Sequence, residues 1–176
     1  RFAKALGFLL AFLFVLLKSE VSFADTVVLR NSYAGNINFV TGGATLRTAD
    51  DATNACAVTT GTTSATISGI PAGSTIDAAL LYWAGSGTTP DYSVTFNGHA
   101  VSNMSGRAYT EIFNSSGTDY AMFGAVGDVT AWVTGNGTYT FTGLTVATGT
   151  PWSGNSTCLG GWALVVIYIN PSEAFR

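Results

Sequence analysis

The chain of 176 residues contains no glutamine, a single histidine (His99), two cysteines, and lysine only at positions 4 and 18. Each scarcity removes a chemistry. Without glutamine, no internal Cys–Gln thioester can form. Beyond residue 24 there is no lysine either, so Lys–Asn isopeptide crosslinks are excluded from that part of the chain. One histidine leaves no His, Cys and carboxylate set at zinc-ligand spacing, and a Ser-His-Asp triad would have to recruit His99 from a hairpin tip. No Gly-x-Ser-x-Gly elbow occurs, and Gly85-Ser86-Gly87 leads into no helix that could receive a phosphate. Glycoside hydrolysis needs only two facing carboxylates. Asp91, Glu111, Asp119 and Asp128 are available, but nothing in their spacing pairs them. The sequence predicts no catalytic residues and no enzyme.

The start of the chain points to export. Arg1 and Lys4 flank an apolar run from Ala5 to Leu17, followed by Lys18-Ser19-Glu20 and then by Ser22-Phe23-Ala24, with small residues at the two positions a signal peptidase reads. Residues 1–24 therefore read as a secretory signal peptide cleaved after Ala24. The run is shorter than the ~20 apolar residues of a membrane span. The remaining chain, 25–176, carries four arginines against nine carboxylates, a balance of −5. That balance argues against a nucleic-acid partner, which requires clustered cations. In an exported chain Cys56 and Cys158 are expected to pair as a disulfide. Such a bridge closes a loop of roughly 100 residues, worth about 4.7 kcal/mol in the idealised chain-entropy account.

Gly160 to Asn170 organises the rest. Trp162 to Ile169 is an unbroken apolar run, rich in β-branched and aromatic residues, between Gly160-Gly161 and Asn170-Pro171. It reads as a central strand covered on both faces. Thr75 to Trp83 is a second strong strand and its expected neighbour, with Asp77, Ala79, Leu81 and Trp83 on one face. Shorter strands are expected over 26–29, 36–40 (ended by Gly42-Gly43), 45–47, 64–67, 92–96, 99–101, 107–113, 119–123, 138–141 and 144–147. Asn97-Gly98 is a strong hairpin signal, because a type I′ turn needs positive φ twice. Helical structure is expected only as a turn near 127–133. Many short strands at turn-punctuated intervals predict an all-β, two-sheet antiparallel sandwich, in the jelly-roll or immunoglobulin-like range. The chain ends at Phe175-Arg176, just after its most apolar strand, so the domain is expected to be incomplete at its C-terminus.

Val94-Thr95-Phe96-Asn97-Gly98, Asp128-Val129-Thr130 and Gly137-Thr138-Tyr139-Thr140-Phe141 resemble, in that order, motifs of galactose-binding-like jelly rolls. Together with Leu80-Leu81-Tyr82-Trp83-Ala84-Gly85 and Gly160-Gly161-Trp162-Ala163-Leu164-Val165-Val166-Ile167-Tyr168, they look like one uncharacterised β-domain family. That family stands near the N-terminus of large secreted bacterial and archaeal surface proteins of adhesin type. The resemblance spans nearly all of 25–176 and implies surface location and β architecture, with no catalytic residues to carry over. Where that family has an acidic residue before Asn-Pro, this chain has Ile169.

Candidate binding residues are few. Asp50, Asp51 and Asn54 place oxygen ligands in one loop and could suit calcium, against the ordinary reading of a solvated acidic loop. Trp152 lies in a Pro-Trp-Ser-Gly loop and, with Tyr92 and Tyr109, could form a stacking platform for a sugar. The competing reading folds Trp152 back over a sheet edge near the disulfide. The expected function is a non-enzymatic extracellular structural or adhesion module presenting the loops 86–91 and 148–157. The alternative is a carbohydrate-binding module, so glycans or other surface proteins are the expected partners.

Overall fold

The structure, a computed structural model, describes residues 29–49, 54, 56–58, 61–155 and 158–176. The expected signal peptide lies outside the described residues, as does most of the predicted strand over 26–29, and Leu29 itself is in no strand. Of the two units into which the chain divides, Arg1–Ser32 carries no regular structure among its described residues. Tyr33–Arg176 carries the strands.

Those strands are β1 (Ile37–Thr45), β2 (Thr63–Ile67), β3 (Thr75–Ser86), β4 (Ser93–Phe96), β5 (His99–Ser102), β6 (Ala108–Ser115), β7 (Thr118–Asp128), β8 (Gly137–Thr142) and β9 (Gly160–Ile169). They form two antiparallel sheets, ordered β1-β9-β3-β7-β6 and β2-β8-β4-β5. This is the predicted sandwich. The alternation of side chains along each strand decides what meets between the sheets. Ala79, Leu81 and Trp83 of β3 and Trp162, Leu164, Val166 and Tyr168 of β9 are buried, as are Phe96 and Phe141 from the smaller sheet. Trp83 and Trp162 stand directly opposite each other. Trp162 stacks on Phe141 with ring centroids 5.4 Å apart and meets Phe96 edge-on at 6.4 Å. Such ring pairs add roughly 0.5–1.5 kcal/mol each beyond the area they bury.

β9 is central, as its composition predicts, hydrogen-bonded to β1 on one side and β3 on the other. Its expected cover on both faces is corrected. The outward face leaves Ala163 exposed and Ile169 40% exposed, and only Ile167 approaches full burial. An apolar run marks a strand with neighbours on both sides just as well as one with layers on both faces, so composition alone does not separate the two.

Three further expectations change. Gly42-Gly43 does not end β1, which runs through both to Thr45; the separate strand predicted at 45–47 is absent, with Leu46 in no strand and Arg47 making only an isolated bridge to Val58. A Cβ on Gly43 would lie 2.3 Å from the Trp162 carbonyl oxygen, so glycine there permits close approach to β9 and makes no turn. Asp77 does not share the face of Ala79, because a register shift between Ile76 and Ala78 turns it out to solvent. Residues 144–147 form no strand. Leu144 is buried, but the segment crosses the end of the sandwich after Gly143, whose φ is +88°. The helical turn expected near 127–133 is present as a short 3₁₀ turn over Thr130–Trp132, but it is not the only one, since a second 3₁₀ turn spans Trp152–Asn155.

Candidate functional site

Gly87, Thr88 and Thr89 of the first loop expected to be presented (86–91) and Trp152 of the second (148–157) come together at one end of the sandwich, beside Ser86. This serine is fully buried. Its hydroxyl donates to the Ala147 carbonyl at 2.7 Å and accepts the Leu159 N–H at 3.2 Å. Its backbone carbonyl takes the Ala147 N–H at 2.6 Å, and its N–H bonds the Leu159 carbonyl at 3.1 Å. One side chain thus joins the end of β3, the crossing segment 144–147 and the approach to β9. Gly85 makes room for that junction, because a Cβ there would sit 2.4 Å from Val146 Cγ1. Asp91 adds a second clamp. One of its oxygens takes the Ser93 N–H at 3.2 Å and the other the Thr145 N–H at 2.8 Å.

Cys56 and Cys158 form the expected disulfide, with Cα atoms 5.1 Å apart. Cys158, Tyr120 and Trp152 make a small apolar cluster beside the main core. Trp152 is only 6% exposed, and its indole N–H donates to the Ala121 carbonyl at 3.1 Å. Its ring lies over the sheet near the bridge, so little of its face is open for stacking on a ligand. Tyr92 is half-buried, edge-on to Phe123 at 6.3 Å, with its hydroxyl 3.5 Å from the Tyr109 carbonyl oxygen. Tyr109 itself is 47% exposed on β6. The two tyrosines are therefore brought together, while Trp152 contributes to a different feature. That feature is an open pocket of about 230 Å³ between Gly87–Thr89, Thr145–Ala147 and Trp152. Thr88, Thr89 and Thr145 are exposed at it. It offers small hydroxyl groups beside an apolar floor.

Of the calcium candidates, Asp50 and Asp51 lie outside the described residues. Asn54 is exposed, and its side-chain oxygen accepts the Cys56 N–H at 3.0 Å. Among the described residues no group of three or more His, Cys, Asp or Glu stands ready to hold a metal. His99 stacks on Trp132 with centroids 4.7 Å apart. Asp128 accepts both the N–H and the hydroxyl of Thr130, at 2.9 and 2.7 Å, and so holds the 3₁₀ turn. Asp119 accepts from the Asn114 side chain at 2.6 Å.

Sequence reasoning missed two features. Ser86 reads in the sequence as loop punctuation, and nothing local marks its burial. The other is an open apolar groove of about 380 Å³ lined by Tyr33, Ile37, Phe39, Val165 and Ile167, with Arg176 at its rim. The alternation Ile37-x-Phe39 and Val165-x-Ile167 was its available signal, visible once β1 and β9 are known to be neighbours.

Fold and loop end together define a disulfide-bridged, two-sheet antiparallel β-sandwich, in which no helix among the described residues is long and apolar enough to cross a membrane. More particularly, the chain belongs to the family described as "Protein of unknown function (DUF3344)", which matches residues 26–175. Neither curated proteins nor solved structures yield a match.

Proposed function

We propose that this chain is a non-enzymatic, extracellular structural and adhesion module of a bacterial surface or secreted protein. It presents the Gly87–Thr89 and Thr145–Trp152 loops from a rigid frame. The Cys56–Cys158 bridge carries this reading, because disulfides persist in oxidising compartments outside the cytosol. The buried Ser86 junction and the Asp91 clamp support it further, since they hold the loop end by backbone bonds from separate elements. The signal-like sequence at residues 1–24 is consistent with it. Expression of the whole chain in a bacterial host should deliver a protein beginning at Asp25, with the bridge formed, to the cell surface or medium. Recovery in the cytosol with residues 1–24 retained and both thiols reduced would overturn the reading.

A second reading is favoured by one observation, the threonine-rimmed pocket of about 230 Å³ beside Trp152. It would take a hydroxyl-rich ligand such as a glycan. Binding on a glycan array that is lost in Thr145→Ala and Thr89→Ala, with melting unchanged, is the expected result. Binding indifferent to both changes, or no binding, removes this second reading and leaves the first standing.

A further inference from the structure

Among the described residues β6 is a lightly protected edge strand, guarded by the single charge of Glu111. Six consecutive residues, 109–114, are exposed, so both faces of the strand meet solvent. Tyr109, Ile112 and Phe113 are 47%, 61% and 57% exposed. Long apolar edge strands are normally guarded by lysine, proline, a bulge or a covering element. Ala108–Ser115 has no lysine and no proline, and it pairs with β7 residue for residue without a bulge. The other edge of the same sheet is treated differently. β1 lies beside β2, where a Cβ on Gly42 would come within 3.5 Å of the Thr66 carbonyl oxygen. The Phe39 N–H is moreover taken by the Asn38 side chain at 2.9 Å.

The hydrogen-bond phase of β6 is set by its pairing. Val126 donates to the Arg107 carbonyl at 3.1 Å, which makes the odd-numbered residues of this strand the ones bonded to β7. The N–H and C=O groups of Thr110, Ile112 and Asn114 therefore point away from the sheet.

We propose that this edge pairs with the β6 edge of a second copy of the chain, antiparallel about a two-fold axis through Ile112. Symmetric antiparallel pairing keeps like faces together, so its centre must fall on a residue. A centre on Glu111 sets two carboxylates directly opposite each other, and centres on Thr110, Phe113 or Asn114 overlap fewer residues of β6, whereas Ile112 brings the whole of 109–115 opposite itself. At that register Ile112 exchanges backbone bonds with Ile112 of the second copy, and Thr110 does so with Asn114 on either side. Glu111 is the only ionisable group of β6 apart from the Tyr109 phenol. It comes to lie opposite Phe113 of the second copy, with its own symmetry mate at the more distant diagonal position and not directly opposite. Tyr109 faces Ser115 and reaches diagonally to Phe113. The exposed apolar side chains are thereby covered by one another, and the two five-stranded sheets join into one. The interface is isologous and closes on itself, which stops growth at the dimer. This pairing goes beyond the proposed function and does not depend on any ligand of the loop end.

Sedimentation velocity of the chain over a wide concentration range should show a reversible monomer–dimer equilibrium. Ile112→Pro removes the central outward N–H without touching the β6–β7 ladder, and Ile112→Lys places two like charges together. Both should yield monomer with the melting transition unchanged. Since Cys56 and Cys158 are engaged with each other, Ile112→Cys supplies a single new thiol. It should give an oxidised dimer on a non-reducing gel, because Cα atoms in such a pair stand about 5.5 Å apart. Phe113→Cys, displaced by two residues from its mate, should not. A chain that stays monomeric at every concentration overturns the proposal. So does a dimer that persists in both Ile112→Pro and Ile112→Lys, or crosslinking as efficient through Phe113→Cys as through Ile112→Cys.

Discussion

Glu173 shows how much one side chain can hold. Its carboxylate accepts the Tyr168 hydroxyl at 3.1 Å and the Asn38 amide at 3.0 Å, and its backbone carbonyl takes the Asn36 amide at 2.7 Å. Tyr168 is 3% exposed. Its phenol is pushed above the ordinary value of 10.0, chiefly by burial and then by the hydrogen bond to Glu173 and that group's charge, with Arg176 opposing. The sign follows from linkage. Above pH 10.0 the unfolded chain releases this proton while the folded chain keeps it, so the folded state binds more protons. Stability from this group is fully present below that pH and falls as the pH rises through it. Alkaline unfolding of the chain should therefore be steeper than that of Tyr168→Phe, and phenolate absorbance titrations of the two proteins should differ by one phenol that ionises above 10.0. Identical alkaline profiles for the two proteins would rule this out. None of this was legible in the sequence, where Tyr168 is one apolar residue in a run and Glu173 a lone acid near the end. The two meet because Asn170, itself 5% exposed, turns the chain by accepting the Ser172 N–H and hydroxyl at 2.9 and 2.6 Å.

At the scale of elements, the hairpins were the most legible parts. Asn97-Gly98 adopts positive φ at both residues, 47° and 79°, as a type I′ turn demands. Ser116 and Gly117 do the same at 52° and 79°, so the turn from β6 to β7 is tighter than the five residues, 114–118, left between the strands expected over 107–113 and 119–123. Asn97 also does something its turn chemistry does not announce. Its side-chain oxygen accepts the Thr140 N–H at 2.8 Å and lies 3.2 Å from the Thr140 hydroxyl, tying the β4–β5 hairpin to β8. Asn97→Ala should lose these bonds and incur the steric cost of a left-handed alanine, about 2 kcal/mol in all. Asn97→Gly keeps the conformation and should lose about half as much. Equilibrium denaturation of both variants measures the difference, and equal losses would refute the split. Strand ends were less legible. β1, β3 and β9 all run through glycines that sequence reasoning takes for stops, because whether a glycine turns the chain or admits a neighbour depends on what lies beside it.

Across the whole molecule, the Cys56–Cys158 bridge spans a sequence separation of 102 residues and sits beside the Trp152–Tyr120 cluster at the loop end. Replacing both cysteines by serine should lower the unfolding free energy by about 2–5 kcal/mol. Because the bridge, Ser86 and Trp152 hold the same end, proteolysis in the native state should then begin within 144–159, and first cleavage elsewhere would contradict that coupling. The sequence alone was enough to establish the all-β class, the central β9 beside β3, the hairpin at Asn97-Gly98 and the pairing of the cysteines. These follow from local chemistry: side-chain period, β-branching, backbone permissiveness, and two thiols with no other partner to choose. The tertiary structure alone decided that Trp152 is mostly buried, that Ser86 is a structural junction, that the outer face of β9 is partly open, and that β6 is left uncovered. Each of these depends on which distant segment arrives alongside, and burial belongs to that meeting of segments, which no single stretch of sequence encodes.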